Sequence, residues 1–275
     1  MKNVWITVDV EEWYHLEYMR QYIDDTGNFR VVPLMREFLD KLDELNIKAT
    51  FFILGELAED NSQILKEIAS KGHSIGCHGY DHDLLYNKSN DEFEEQVTKA
   101  KKIIEKISGS KVEGYRASCF SMEDEKLNIL EKIGFKYDSS FIRFEQHNLY
   151  KMLKMTGFKK VDSLIHFKKD FCEVEIPTVK VLKYNIPISG GGYIRLFPLW
   201  LLKFLLKKYR KTEHNFLLYL HPFELTNVTI PTPSKAPLKN KLRMNIGRRN
   251  NLNKIVKLLE YLKKEGASFR AMSEI

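Results

Sequence analysis

The sequence has few cysteines and no long uninterrupted apolar run. Its three cysteines, Cys77, Cys119 and Cys172, are an odd number without a repeated spacing, which argues against a disulfide framework and suits a reducing compartment. The longest apolar stretch, LFPLWLLKFLL at 196–206, is interrupted by Lys203 and is much shorter than the roughly 20 residues that span a bilayer. We therefore predict neither a disulfide-rich scaffold nor a transmembrane helix.

Two further patterns are missing. The first residues, MKNVWITVDV, lack the apolar segment and cleavage site of a secretory signal, so we expect a cytoplasmic protein. No biased tract is present among 275 residues with 43% apolar and 29% charged residues, which excludes fibrous and disordered classes. The net charge of +7 is compatible with nucleic acid, anionic lipid or acidic glycan, and we expect no nucleic-acid partner.

Segments rich in β-branched and aromatic residues, such as NVWITVDV, KATFFIL and HSIGCH, alternate with helical patterns. This alternation is typical of βα units around a parallel sheet. The rhythm is interrupted at about 141–190, where FCEVEIPTVKVL indicates β-hairpins. We predict an α/β fold: one domain over residues 1–275, an irregular (β/α)7-type barrel, with a β-rich insertion at about 141–190.

Polar side chains follow several predicted strands, at the edge where parallel barrels build their active sites. Asp9 and Glu11 are two residues apart, so in an extended chain both face one side and Glu12 faces the other. Two carboxylates in one cavity are costly unless a cation or an arginine neutralises them. The alternative is a solvent-exposed acidic loop.

His78 and His82 are four residues apart, within reach of one ion on either a helix or a loop. With one carboxylate they form a two-histidine, one-carboxylate set that leaves coordination positions open. Asp81 and Asp83 are rival carboxylates, better suited to orienting the histidines. Two loop histidines without a shared ion are the alternative.

Arg116 lies at the end of an apolar strand, where a buried guanidinium needs a carboxylate partner, and Asp9 is our candidate. His221 follows another apolar run. Asp138 is the residue that we expect to hold His221 in one tautomer and keep it protonated. A satisfied core histidine without a catalytic role is the alternative for His221.

Taken together, TVDVEEW, ATFFILG, GHSIGCHGYDH, GYRASCFS, YDSSF and LYLHPFEL resemble, in order and spacing, the motifs of the polysaccharide deacetylase family, the carbohydrate esterases with the NodB homology domain. The resemblance extends from residue 3 to about residue 225. DVEEW, SGGGYIRLFP and HPFEL are most similar to members found among exopolysaccharide and surface-glycan biosynthesis genes. The resemblance implies an irregular (β/α) barrel and metal-dependent hydrolysis of an N-acetyl group, less often an O-acetyl group.

The resemblance also implies a role for each polar residue. Asp9 would be the catalytic base and His221 the general acid. Arg116 would clamp the base, and Asp138 would tune the acid. The three metal ligands would be Glu11, His78 and His82. The metal would be divalent, Zn²⁺ first, with Co²⁺ or Ni²⁺ as alternatives. The chain departs from the family in Glu11, where aspartate is usual, and in Ser118, where proline is usual.

SGGGYIRLFP at 189–198 is rich in glycine but lacks the lysine and hydroxyl of a phosphate-binding P-loop. We expect Gly190–Gly192 to form a tight turn that brings Tyr193 or Arg195 to the rim of the site, with Trp13 as another substrate contact. A turn without contact to substrate is the alternative.

The helical segment PLWLLKFLLKKYRK is apolar over a wide arc and carries several basic residues. We favour a barrel helix that packs Leu199, Leu202 and Leu206 inward and leaves its lysines in water. The alternative is peripheral contact with the membrane surface, at the inner membrane face. The basic segment 234–250 is expected to be a loop, either solvated or in contact with a charged glycan or phosphate.

We therefore predict a cytoplasmic, metal-dependent enzyme that removes acetyl groups from an N-acetylated sugar in a polysaccharide, a lipid-linked glycan or a glycan precursor. A same-fold amidohydrolase that opens a non-sugar amide, such as a cyclic imide or ureide, is the first alternative. A non-catalytic glycan-binding module is the second, and the full set of base, acid and metal ligands argues against it.

Overall fold

The β/α alternation of the sequence produces a mostly parallel sheet. The computed structural model describes residues 1–143, 153–181 and 184–275. Its strands are β1 Asn3–Val10, β2 Thr50–Ile53, β3 Ser74–Cys77, β4 Gly114–Tyr115, β5 Tyr137–Asp138, β6 Lys159–Lys160, β7 Ile165–Lys168, β8 Phe171–Val174, β9 Thr178–Val181, β10 Tyr184–Pro187, β11 Asn215–Leu220 and β12 Ser268–Arg270. Its α-helices are α1 Glu17–Arg20, α2 Arg36–Glu44, α3 Ser62–Ser70, α4 Asn90–Ser108, α5 Asp124–Lys132, α6 Gly191–Leu196, α7 Leu199–Tyr209, α8 Leu238–Asn245 and α9 Asn251–Lys264.

The main sheet has the order β11-β1-β2-β3-β4-β5-β8-β7-β6. Neighbours from β11 to β8 are parallel, whereas β7 and β6 continue the sheet antiparallel. β12 pairs with the start of β1. Gly190, just beyond β10, forms a bridge to Tyr219 in β11. The sheet is thus a curled parallel half-barrel, as the predicted irregular barrel requires.

β1 shows how the sequence places polar groups inside this curl. Its residues alternate between the two faces of the sheet. Val4, Ile6, Val8 and Val10 belong to the large core that includes the helices, whereas Trp5 belongs to a second, smaller cluster. Asp9 is on the same face as Trp5, so its carboxylate points into the curl rather than toward the helices.

α4 has a capping residue at each end. Ser89 and Glu92 form the reciprocal capping box, and Gly109 closes the helix with φ of 69°. A left-handed conformation at this position favours glycine because it lacks a Cβ.

The predicted β-rich insertion contains antiparallel pairs, β6–β7, β7–β8 and β9–β10. However, β8 also pairs in parallel with β5, so this strand belongs to the main sheet instead of standing apart from it. Residues 144–152 and 182–183 of the predicted insertion lie outside the described residues.

Two helices lie in segments that the sequence predicted to be a turn or a loop. α6 occupies the glycine-rich stretch that we predicted as a tight turn, and α8 occupies part of the predicted basic loop. α8 has only Met244 buried, so it lacks the apolar periodicity that predicts a helix packed on a core. No helix in the described part of the chain is both long enough and apolar enough to cross a membrane.

Candidate active site

A cavity of about 470 Å³ lies at the carboxyl-terminal edge of the parallel strands. β1 supplies Asp9, and the turn after it supplies Glu11. The loops after β3 and β11 supply the three histidines, and five of the predicted polar residues line the cavity together: Asp9, Glu11, His78, His82 and His221. The alternative of an exposed acidic loop is wrong, because Asp9 and Glu11 are only 3% and 2% exposed.

Glu11, His78 and His82 form a buried group whose ligand atoms all lie within 4.8 Å of one another. Glu11 Oε2 is 2.5 Å from His82 Nε2 and 3.8 Å from His78 Nε2. Two ligands of a tetrahedral ion with bonds of about 2.1 Å lie roughly 3.4 Å apart. The two observed separations lie on either side of this value, so the three residues are grouped closely enough for one small divalent cation to join them.

The protonation and orientation of these groups also fit a cation. Burial lowers the pKa of His78 to about 4, which keeps its imidazole neutral. Burial disfavours the charged form of Glu11, but the adjacent imidazoles, His82 above all, lower the pKa of this carboxyl well below its ordinary value. His78 Nδ1 is 2.9 Å from the carbonyl oxygen of Arg116, which directs Nε2 toward Glu11.

Among the described residues, the buried atom His82 Nδ1 has no hydrogen-bond partner, and Glu11 Oε2 faces the imidazole nitrogens of His78 and His82 without a further hydrogen bond. A buried carboxylate oxygen is stable where a proton or a cation binds it. The rival carboxylates are used elsewhere, since Asp81 pairs with Lys88 and Asp83 with Arg20. Glu11 is thus the carboxylate that fits the two histidines.

Arg116 holds Asp9 from beneath the cavity. Its guanidinium is fully buried, and Nη1 donates to Asp9 Oδ1 at 2.8 Å and to Thr7 Oγ1 at 2.7 Å. The remaining nitrogens donate to Ser139, through its carbonyl and its hydroxyl. The group also lies over the ring of Phe52, 4.3 Å from its centroid. Each of the three guanidinium nitrogens thus donates a hydrogen bond, which fixes the Asp9 carboxylate.

His221 is oriented by Glu224. Its Nδ1 lies 3.0 Å from Glu224 Oε2, and its Nε2 lies 3.8 Å from Glu11 Oε1. Burial disfavours the imidazolium, but the hydrogen bond and negative charge of Glu224 outweigh burial and raise the pKa of His221 to about 9. Glu224 is in turn held by Arg195, whose Nε donates to Oε1 at 3.0 Å.

The prediction that Asp138 holds His221 is therefore wrong. Asp138 pairs in register with Glu173 of β8, and it accepts a hydrogen bond from Ser140 Oγ at 2.9 Å. Burial raises the pKa of Asp138 to about 6 and that of Glu173 well above its ordinary value. The hydrogen bond between the two carboxyl groups adds to the rise in the pKa of Glu173 and opposes the rise in the pKa of Asp138, so Glu173 carries the proton that the pair shares.

The three predicted substrate contacts differ in their position relative to the cavity. Tyr193 lines the cavity. Trp13 does not, because it is fully buried and its indole donates to the carbonyl of Phe29, so that prediction is wrong. Arg195 borders the cavity, but its guanidinium binds Glu224 and the carbonyls of the 243–246 segment. Arg195 is thus a positioning residue in this structure.

The glycines of the SGGGYIRLFP stretch serve close approach instead of a turn. Gly190 has φ of −86° and caps α6, which any residue could do. However, a Cβ on Gly190 would lie 2.4 Å from the Tyr219 hydroxyl, and one on Gly191 would lie 1.7 Å from Glu224 Oε2. These positions must lack side chains for Tyr219 and Glu224 to reach their places.

Two carboxylates were not identified from the sequence: Glu224, which orients His221, and Glu173, which pairs with Asp138. Glu224 has a local signal: it is three residues after His221 and accepts from the His221 backbone N–H at 3.1 Å, the reciprocal spacing of a capping box. Glu173 has none, because its partner Asp138 lies far away in the sequence and meets it only through strand pairing.

Two family models match this chain, one over the first part and one over the second. A polysaccharide deacetylase model matches residues 19–137, and a model described as a domain of unknown function (DUF3473) matches residues 139–275. The site draws on both parts, because His78, His82 and Arg116 lie in the first and His221 lies in the second. Asp9 and Glu11 precede the first match.

Two of the named relatives illustrate the similarity. A peptidoglycan-N-acetylglucosamine deacetylase of Bacillus cereus is 42% identical over 86 residues, 31% of this chain and 30% of the relative. A chitooligosaccharide deacetylase of Azorhizobium caulinodans is 33% identical over 114 residues, 41% of this chain and 53% of the relative. The matched segments thus span about half or less of these relatives. A putative polysaccharide deacetylase of Mycobacterium smegmatis has a similar fold, with a TM-score of 0.56 at 19% identity over 98% of this chain and 94% of that one.

Proposed function

We propose, from the premise that this chain belongs over residues 19–137 to the polysaccharide deacetylase family, that it hydrolyses the N-acetyl group of a sugar in a glycan or glycan precursor with a bound divalent metal. The observation that carries the proposal is the convergence of Glu11, His78 and His82 in one cavity with Asp9 and His221. A base, an acid and a metal-ligand set are what amide hydrolysis requires.

Glu11, His78 and His82 would hold the metal. When bound, such an ion polarises a carbonyl oxygen and makes a coordinated water more acidic. Zn²⁺ suits a set of two imidazoles and one carboxylate, and Co²⁺ and Ni²⁺ accept the same ligands. Glu11, which has one methylene more than the usual aspartate, lies in the turn after β1, and its Oε2 faces both imidazoles.

Asp9 is the base of the proposed reaction. Arg116 fixes its carboxylate, so that it takes a proton from water without first reorienting. Proton transfer by a positioned group contributes roughly 10²–10⁴ in rate.

His221 is the acid. Glu224 holds its Nδ1 and keeps the ring protonated, so Nε2 carries a proton on the cavity side, where the amine departs. The backbone amide of Ala117 is already bound to Ser140 Oγ. The backbone N–H groups of Phe120 and Ser121 also donate within that loop. We therefore assign stabilisation of the developing oxyanion to the backbone N–H groups of Ser118 and Cys119, since such a donor contributes about 3 kcal/mol in comparable sites.

A sugar substrate fits the lining of the cavity. Its volume lies within the roughly 300–1,000 Å³ range of small-molecule sites. Aromatic rings, which present flat apolar faces to sugar rings, are frequent on its walls: Tyr18, Phe120, Tyr193, Tyr219 and Phe223. The relatives named for peptidoglycan and chitooligosaccharide deacetylation support the same class of substrate.

Acetate release from N-acetylated sugars, measured beside ring opening of a cyclic imide, tests the proposal. The Zn²⁺-loaded protein is incubated with chitooligosaccharides, N-acetylated sugar nucleotides, lipid-linked N-acetyl sugars and a cyclic imide. We expect release from at least one sugar, its loss in Asp9→Asn, and its retention in Asp170→Asn, a matched change at an exposed position. Hydrolysis of the imide alone would favour the amidohydrolase alternative. No hydrolysis with Zn²⁺, Co²⁺ or Ni²⁺ would favour a binding module.

A further inference from the structure

Large apolar side chains are exposed beside the mouth of the cavity. They form two rows with a spacing of four residues, one along α6 and α7 and one along α8. Their exposed fractions are 54%, 70% and 60% for Leu196, Trp200 and Phe204, and 71%, 58% and 53% for Leu238, Leu242 and Ile246. We call these six residues the apolar rim. In the described part of the chain, they are the majority of the large apolar side chains that are exposed.

The two rows of the apolar rim meet at the cavity. Leu196 and Ile246 both line it. Arg195 ties the end of α6 to the end of α8, because its Nη1 donates to the carbonyls of Met244 and Ile246 at 3.0 and 3.1 Å. The apolar rim is therefore continuous with the opening of the candidate active site.

Folding does not account for the apolar rim. α7 already buries Leu202, Leu205 and Leu206 in the core, which agrees with the inward packing expected from the sequence. Its lysines were expected to lie in water, yet Trp200 and Phe204 are exposed beside them. Contiguous exposed apolar patches on soluble proteins mark interaction sites.

The chain around the apolar rim is basic and free of acids. Residues 196–212 and 225–250 contain no Asp or Glu. Exposed basic residues flank the rim in both segments: Lys207, Lys208, Lys235, Lys239, Arg243 and Arg249. Apolar side chains next to lysine and arginine are the pattern of surfaces that bind anionic lipid.

We propose that the apolar rim inserts into the surface of an anionic lipid bilayer, with the flanking basic residues at the lipid phosphates and the cavity mouth toward the membrane. A second copy of the chain is a poorer occupant, because rim-to-rim contact would bring two acid-free basic segments together. An anionic bilayer offers both the apolar phase and the opposite charge that this surface requires.

Tryptophan fluorescence reports this insertion directly. Of the three tryptophans, Trp5 and Trp13 are 2% and 0% exposed, and only Trp200 is exposed. On addition of phosphatidylglycerol-containing vesicles, we expect a blue shift of the emission and its quenching by brominated lipid. Pure phosphatidylcholine vesicles should give much weaker binding, and raising the salt from about 0.1 to about 0.5 M should weaken binding to the anionic vesicles.

Variants separate the apolar rim from the rest of the surface. Phe204→Ser with Leu242→Ser keeps the Trp200 probe, changes only exposed side chains, and should reduce co-sedimentation with anionic vesicles about tenfold. Val161→Ser is the matched control, because Val161 is 60% exposed and outside the rim; it should bind like the unmodified protein.

Three results would overturn the proposal: no binding to anionic vesicles at low salt, undiminished binding by the double variant, or a dimer in light scattering that the double variant dissociates. All these measurements are made without turnover. A failure here therefore leaves the proposed deacetylation untouched, and a failure of acetate release leaves membrane binding testable.

Discussion

Nδ1 of His221 lies 3.0 Å from Oε2 of Glu224, three residues later in the same loop. The same carboxylate oxygen accepts the backbone N–H of His221, so one side chain fixes both the loop and the ring. A histidine that acts as an acid must be protonated, and Glu224 supplies the charge that keeps it so.

Replacement of Glu224 should therefore move the pH profile. With the pKa of His221 raised to about 9, kcat should persist up to that pH and fall as the pH rises through it. In Glu224→Gln the fall should begin nearer the ordinary histidine pKa of about 6.5, and activity at pH 8 should drop at least about tenfold. Asp138→Asn is the control, since it should leave the alkaline fall of activity at the same pH as in the unmodified protein. If that fall moves to lower pH in Asp138→Asn and not in Glu224→Gln, Asp138 holds His221, as the sequence predicted.

The metal site can be tested by calorimetric titration with Zn²⁺ after treatment with a chelator. We expect one ion per chain and a rise in Tm on binding, because an ion that binds only the folded state stabilises it. Loss of a residue that hydrogen-bonds to a metal ligand typically lowers metal affinity roughly 10–100-fold. His78→Gln changes a ligand itself, so it should lower the affinity for Zn²⁺ by more.

His214→Gln serves as the control for this titration, because His214 is exposed and precedes β11, at the opposite end of that strand from His221. Equal affinities of the two variants for Zn²⁺ would remove His78 from the ligand set.

The buried pair of Arg116 and Asp9 should show strong energetic coupling. Arg116→Met leaves the Asp9 carboxylate buried without its cation, which should lower the free energy of unfolding by about 3–5 kcal/mol. Adding Asp9→Asn should recover part of the loss, with a coupling energy of roughly 1–3 kcal/mol in a double-mutant cycle measured by denaturant unfolding. The surface pair of Lys132 and Glu94, 2.7 Å apart, should give about 0–1 kcal/mol in the same cycle. Similar values for both cycles would mean that Arg116 does not compensate the charge of Asp9.

The sequence is sufficient to place Asp9, Glu11, His78 and His221 in one cavity, because carboxyl ends of parallel strands share an edge. The sequence is less informative about which side chains pair with each other below that edge of the sheet. Asp138 was assigned to His221 because both follow strands, whereas the pairing of β5 with β8 gives Asp138 a different partner, Glu173. Register between distant strands is a tertiary property that residue patterns do not encode.

The sequence-based predictions for α8 and Trp13 were wrong for other reasons. Leu238 and Leu242 face solvent, so α8 has no apolar face toward the core and was expected to be a loop. Trp13 lies in a motif next to two catalytic candidates, and this proximity suggested a substrate contact. Its ring instead packs with Met19, Val31 and neighbouring residues in a separate core cluster.

The carboxyl pair of Asp138 and Glu173 should make stability depend on pH. Because both pKa values are raised on folding, the native state holds a proton that the unfolded chain releases. The stabilisation is fully present below the unfolded pKa of about 4 and is lost as the pH rises through the folded value, about 6 for Asp138.

Glu173→Gln keeps a hydrogen-bond donor toward Asp138 without a titrating proton. It should flatten the decline in unfolding free energy between about pH 5 and pH 8 by roughly 1–3 kcal/mol, measured by urea unfolding at each pH. Glu37→Gln, at an exposed position, should leave the decline unchanged. An equally steep decline in Glu173→Gln would show that the pair does not share the proton.

Gly191 and Gly192 offer a matched pair of substitutions in α6. A Cβ on Gly191 would lie 1.7 Å from Glu224 Oε2, whereas one on Gly192 would meet nothing nearer than an Arg195 nitrogen at 4.0 Å. Gly191→Ala should therefore displace the Glu224 carboxylate and lower the alkaline limit of activity as Glu224→Gln does. Gly192→Ala should retain the activity and stabilise the fold by roughly 0.5–1 kcal/mol, since alanine favours a helix over glycine. Activity profiles across pH, compared with Tm, distinguish the two effects: if Gly191→Ala loses stability but keeps the wild-type pH profile, Glu224 is not the group that sets the protonation of His221.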